Sequence, residues 1–196
     1  MDEIRYDDRT ALLVVDVQND FADPGGSLYV EGGENVVPLV NREVDRARSA
    51  GAAVIYTRDW HPPETPHFEK HGGKWPVHCV RETWGAEYHP DLEVAGDQIR
   101  KATGWEDGYS GFSVQRLETG DVASTGLEEQ LHERGIERVV IVGLATDYCV
   151  KETGLDAVEK GFDATVLRDA VRAVDVEPGD GERTLEELEQ AGVKVV

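Results

Sequence analysis

The stretch RVVIVGLATDYCV, residues 138–150, decides how this chain folds. Its first half, Arg138–Leu144, is the strongest β-branched apolar run in the sequence, as expected of a strand covered on both faces. Thr146 then opens a helix running towards Gly161, so a thiol, Cys149, falls in the first helical turn just beyond a buried strand. Working outward, the pattern recurs. Residues 11–17 (ALLVVDV) form a second buried strand with an acid, Asp16, near its end, and residues 52–57 (AAVIYT) form a third, with Asp59 just past it. Weaker strands are expected at Asp97–Lys101, at 164–167 and at 193–196. Helical spacing covers 38–50 through Val40, Val44 and Ala47, with Gly51 as its stop. A further helix, capped by Ser124 or Thr125, runs through Leu127 and Leu131 to Gly135, and another spans 184–191.

Strands alternating with helices mean βαβ units with right-handed crossovers. The expected architecture is therefore α/β: a Rossmann-like, mainly parallel sheet flanked by helices on both faces. No Pro- or Gly-rich linker divides residues 1–196, so one domain is expected. Ligands of such sheets bind beyond the carboxyl ends of the strands. Asp16, Asp59, Lys101 and Cys149 all fall at or just after those ends, which brings four residues distant in sequence to one rim.

Composition narrows the function. The 40 Asp and Glu against 20 Lys and Arg leave a formal charge of −20, and only six of the cations are Lys. Such a surface repels nucleic acid and anionic membrane, leaving small molecules and a second copy of the chain as the partners to expect. The acids are spread through strongly patterned helices and loops, which argues against disorder. At about 1 M salt the screening length falls to roughly 3 Å. A chain adapted to molar salt, as in a halophilic, haloarchaeal cytoplasm, is the expectation; an ordinary acidic protein is the alternative. The start Met1-Asp2-Glu3 has no basic, apolar leader, and no apolar run approaches a membrane span, so the cytoplasm is the expected compartment. Cys79 and Cys149 can form one disulfide, but an intracellular thiol among acids and imidazoles is better read as free.

The chemistry-bearing residues each have a bland alternative. Cys149, at a helix start, is placed for thiolate chemistry with free N–H groups for an oxyanion, or it is a small core residue. Asp16 can shuttle a thiol proton, or simply cap a turn; a phosphoryl-accepting Asp16 assisted by Asp20 lacks any Gly-rich phosphate loop. Lys101 can be a buried counter-charge favouring the thiolate, or reach water. Arg100, its neighbour, points to the opposite face. Four of the six His lie within 18 residues. Asp59, His61, His67 and His78 give a mixed carboxylate and imidazole set suited to zinc, iron or manganese, with solvated loop histidines as the alternative. His71, among Lys70, Gly72, Gly73 and Lys74, is a bystander, and Cys79 is a conceivable soft ligand but better read as packing. Phe21, Trp75 and Tyr109 can wall a pocket or belong to the core. The long loop from 58 to about 90 that carries the histidines is of a length that usually serves function.

Five stretches, LLVVDVQNDFADPGGSL (12–28), TRDWHPPETPHF (57–68), WPVHCV (75–80), YSGF (109–112) and GLATDYCV (143–150), together resemble the nicotinamidase/pyrazinamidase family of isochorismatase-like cysteine hydrolases. The resemblance implies hydrolysis of nicotinamide to nicotinate and ammonia, feeding NAD salvage, with pyrazinamide also accepted and no organic cofactor. It maps a catalytic trio onto Asp16, Lys101 and Cys149, and one divalent ion, with waters, onto Asp59, His61, His67 and His78. It implies an oxyanion hole from the N–H groups of Ala145 and Cys149, a cis Leu144–Ala145 peptide, and a ring held against Phe21, Trp75 and Tyr109. Of the relatives that share this fold, isochorismatases lack the nucleophilic Cys and the carbamoyl amidases lack the histidine-rich loop, whereas this chain resembles a family that has both. A relative acting on another amide, or a metal-binding module without turnover, is the alternative. The segment between Lys101 and Tyr109 departs from the family pattern.

Overall fold

In chain order the elements are β1 (Thr10–Val15), α1 (Asn19–Ala22), α2 (Val37–Ser49), β2 (Ala53–Asp59), β3 (Asp97–Lys101), β4 (Glu106–Asp107), β5 (Ser113–Arg116) and β6 (Val122–Ser124). They continue with α3 (Leu127–Glu133), β7 (Arg138–Leu144), α4 (Lys151–Glu159), β8 (Asp163–Arg172), α5 (Asp180–Gln190) and β9 (Lys194–Val195). This computed structural model describes residues 4–196, so the leader expectation, which rests on Met1 to Glu3, lies outside the described residues.

Six strands form one sheet in the order β3-β2-β1-β7-β8-β9, with every pairing parallel. The alternation of β1 explains its two faces. Leu12 and Val14 pack with Val40, Val44 and Ala47 of α2. Leu13 and Val15 pack with Leu127 and Leu131 of α3, Ala157 of α4, and Leu185 and Leu188 of α5. Each of these β1 side chains is fully buried, and truncating one Leu to Ala costs about 2–5 kcal/mol in such a setting. Helices therefore cover both faces, as expected.

Several boundaries differ from the sequence reading. The first strand stops at Val15, because Asp16 takes a left-handed conformation (φ 48°) that breaks the pleat. The expected strand at 164–167 extends to ten residues, and the last shrinks to two. The helix after β7 begins as a π turn, Thr146–Val150, before α4, and Gly126, in a left-handed conformation, occupies the cap position of α3. A three-stranded antiparallel sheet, β4-β5-β6, was not expected; its strands are short and polar and carry no apolar period. Gly143 could be nothing else: its φ is +113°, and a Cβ would lie 2.1 Å from the Val15 carbonyl oxygen.

Candidate active site

The β2–β3 register pairs Asp59 with Lys101, the last residues of their strands. Both side chains point to the same side of the rim, and Lys101 Nζ donates to Asp59 Oδ1 at 2.8 Å. The same ammonium lies 2.8 Å from Asp16 Oδ2, donates to the Gly108 carbonyl oxygen, and is 3.6 Å from Cys149 Sγ. Lys101 and Asp16 are fully buried. Thr57 Oγ1 donates to Asp16 Oδ1 at 2.7 Å. Asp16 Oδ2 makes the ion pair but no well-directed hydrogen bond, which leaves it a lone pair for an incoming proton. The carboxylates of Asp16 and Asp59 and the Cys149 sulfur all lie within 4.8 Å of one another, around the lysine.

Three strand-exit or loop residues at this rim, Asp16, Cys79 and Ala102, hold positive φ values of 48°, 44° and 52°. Strain of that kind gathers where side-chain aim is being fixed. The Leu144–Ala145 peptide is cis. The Ala145 carbonyl accepts from the N–H groups of Tyr148 and Val150, which winds the π turn that carries Cys149.

Burial sets the charge states. It pushes the Asp16 carboxyl up to about 6, against the pull of Lys101. At Asp59 burial acts the same way, but Lys101, then His61 and His78, hold that carboxyl well below the usual range. Burial also opposes the Lys101 ammonium, yet Asp16 and Asp59 keep it charged far above its ordinary range. Cys149 feels the same groups. Burial drives the thiol well above its ordinary pKa; Lys101 pulls it down, but Asp16 and Asp59 push it up again. The resting nucleophile is a thiol, and its proton must leave for Asp16 as attack occurs.

The long loop is an ordered scaffold. His61 N–H donates to Cys79 O and Arg81 N–H to His61 O, while Trp75 N–H donates to His67 O, so the loop folds on itself. Ring nitrogens of His61, His67 and His78 come within 4.8 Å of one another, all buried. Asp59 Oδ2 lies 3.7 Å from His61 Nε2, which joins this cluster to the lysine cluster through one carboxylate. Both His61 nitrogens are buried without a hydrogen-bond partner, and burial lowers His78 to about 4. His78 Nδ1 donates to Pro76 O at 2.7 Å, and His67 Nδ1 to Asp107 Oδ1, leaving Nε2 of each ring free. Three clustered imidazoles, one with both nitrogens orphaned, beside a carboxylate fit a divalent cation such as zinc, iron or manganese. His71 is exposed and outside the cluster. Cys79 is free and buried, with its sulfur directed at Gly85 O at 3.8 Å rather than at the imidazoles.

The two clusters open into one cavity of about 470 Å³, part of it continuous with solvent. Asp59, His61, His67, His78, Ala145 and Cys149 line it. Phe21, Trp75 and Tyr109 line it too, with Trp75 Nε1 donating to Tyr109 Oη at 2.8 Å. Gly108, Leu28, Val30, Tyr148 and Val174 also line it and were not foreseen. Tyr148 carried a signal in its place beside Cys149, and Leu28 only in ending the run that carries Asp16. Gln18 was missed as well: its amide takes the Asp59 N–H and donates to the Asp59 carbonyl, both at 2.8 Å, as a strand partner does. Its sole signal was membership of the run that carries Asp16.

A profile of the Isochorismatase domain matches residues 10–196. The chain is 36% identical over 200 residues to the nicotinamidase of Escherichia coli (strain K12), covering 93% of this chain and 92% of that protein. Among solved structures, it is similar to the pyrazinamidase of Pyrococcus horikoshii in complex with zinc, with a TM-score of 0.84 at 42% identity, covering 96% of this chain and 98% of that one. PnC1 from L. infantum in complex with nicotinate gives a TM-score of 0.87 at 36% identity, covering 98% of this chain and 95% of that one.

Proposed function

This chain belongs to the isochorismatase family, and we propose that it is a metal-containing cysteine amidohydrolase converting nicotinamide to nicotinate and ammonia, with pyrazinamide as a second substrate. Asp16 removes the Cys149 thiol proton as the sulfur attacks the carboxamide carbon. The N–H groups of Ala145 and Cys149 take the developing oxyanion, and the Lys101 ammonium, 3.6 Å from the sulfur, offsets the negative charge passing between thiol and carboxylate. Asp16 returns its proton to the amide nitrogen, the C–N bond breaks, and ammonia leaves a thioester on Cys149. Asp16 then draws a proton from water as it attacks the thioester, and the sulfur leaves to regain its proton.

Asp59, His61, His67 and His78 would hold a divalent ion, which would supply a Lewis-acidic anchor for a ring nitrogen. Phe21, Trp75 and Tyr109 sandwich the ring and exclude water, which orients the carboxamide towards Cys149. With no helix among the described residues long and apolar enough to cross a membrane, the acidic chain fits a cytoplasmic enzyme returning nicotinate to pyridine nucleotide synthesis.

One observation carries this reading: Lys101 Nζ touches both Asp16 and Asp59, so the thiol and the imidazole cluster share a single cavity. Ammonia release tests it. Nicotinamide and pyrazinamide should be hydrolysed, and benzamide, which lacks the ring nitrogen, far more slowly. Equal rates on benzamide would remove the ring anchor from the account, and no release from any of them would remove the activity.

A further inference from the structure

Each residue of the segment Asp107-Gly108-Tyr109 holds a different part of the site. Asp107 Oδ1 accepts from His67 Nδ1. The Gly108 carbonyl oxygen accepts from Lys101 Nζ, and a Cβ at Gly108 would come within 2.9 Å of the Lys101 Cβ. Tyr109 Oη accepts from Trp75 Nε1. The segment is fixed from both sides. Upstream, Glu106 and Asp107 pair with Arg116 and Gln115 in the small antiparallel sheet. Downstream, Ser110 Oγ donates to Asp156 Oδ2 at 2.6 Å and Gly111 N–H to Thr153 Oγ1 at 2.9 Å, both on α4.

We propose that Asp107 is a positioning residue that fixes His67 with Nε2 turned into the imidazole cluster, and that its carboxylate sets the affinity of that cluster for a divalent cation. This rests on the reading that His61, His67 and His78 hold such a cation. A carboxylate on Nδ1–H locks the tautomer and ring plane and makes Nε2 a stronger donor; losing such a partner typically weakens metal binding by about 10- to 100-fold. The other two rings have no comparable support among the described residues. His78 leans on a neutral carbonyl, and His61 has no hydrogen-bond partner on either ring nitrogen. Asp107 does not line the substrate cavity. It lines a neighbouring recess that shares His67, Trp75 and Tyr109 with the substrate cavity. Its hydrogen bond reaches the imidazole cluster through the His67 ring.

The test is zinc affinity of the full-length protein, measured by competition with a chromophoric chelator, for wild type, Asp107→Asn, Asp107→Ala and Asp107→Glu. The expected loss is about 10- to 100-fold for Asp107→Ala, less for the isosteric Asp107→Asn, which keeps an acceptor but no charge, and partial recovery in Asp107→Glu. Wild-type affinity in both Asp107→Ala and Asp107→Asn overturns the proposal. If Asp107→Ala fails to fold, wild-type affinity in Asp107→Asn alone overturns it. No zinc binding by the wild type overturns instead the reading of the cluster on which the proposal rests.

Discussion

Asp59 and Lys101 face each other in the β2–β3 register and are joined at 2.8 Å, which makes one ion pair the hinge between two clusters of different chemistry. On one side of it are Asp16 and Cys149, and on the other His61, His67 and His78. Lys101 is the cation between two buried carboxylates, so the trio Asp16, Asp59 and Lys101 carries one excess negative charge. That arrangement raises Asp16, holds the thiol protonated and attracts a cation to the imidazoles.

The first expectation concerns pH. Burial raises Asp16 to about 6, and the base form is the active one, so kcat/KM should be flat above about pH 6 and fall below it as the carboxylate takes up a proton. The slope should approach about tenfold per pH unit. A pH–rate profile for nicotinamide reads this directly. A limb at the ordinary carboxylate position, near pH 4, would show that Asp16 is not the base or is not desolvated during turnover.

Removing Lys101 should shift that limb. In Lys101→Met the two carboxylates face each other with no cation between them, so Asp16 should hold its proton to higher pH, and kcat should fall by at least about a hundredfold. Iodoacetamide should also modify Cys149 more slowly at a given pH, because the pull of the ammonium on the thiol is gone. An alkylation profile superimposable on that of the wild type argues against the contact.

His61 is the most exacting probe of the metal site, since neither ring nitrogen has a protein partner. His61→Ala should bring bound metal close to zero and raise KM steeply, while the metal-free variant melts no lower than metal-free wild type. Undiminished zinc content by elemental analysis would place the ion elsewhere.

Charge gives a prediction about the whole chain. With a net charge of −20, self-repulsion should be relieved as the screening length shrinks to about 3 Å in molar salt. The melting temperature should rise steadily between dilute buffer and 2 M KCl. Full stability and activity in dilute buffer would mark an ordinary acidic protein and dispose of the halophilic reading.

Much of this site was legible because a parallel sheet turns sequence position into spatial position. Asp16, Asp59, Lys101 and Cys149 could be placed together because each follows or ends a run with strand character, and strand ends of one sheet meet at one rim. Asp107 was not legible. Its partner, His67, is 40 positions away, and they meet through a small antiparallel sheet whose strands are too short and polar to show a period. Leu28, Val30 and Val174 look like any apolar residue until the cavity closes on them. How firmly the Cys149 thiol keeps its proton was not legible either: a helix start favours the thiolate, but the balance of one ammonium against two carboxylates depends on burial that only the tertiary structure reveals.

The central claim is that one thiol and one histidine-held ion serve the same reaction. Ammonia release from nicotinamide should be followed with the wild-type protein before and after chelation, after zinc is restored, and after a single cysteine is alkylated and mapped, with Cys149→Ala alongside. The account expects turnover to vanish on chelation and return with zinc. It expects turnover to be lost when the alkyl group maps to Cys149, and to fall by about four orders of magnitude or more in Cys149→Ala while zinc content stays at wild-type level. Unimpaired turnover by Cys149→Ala, or by protein stripped of metal, would contradict it.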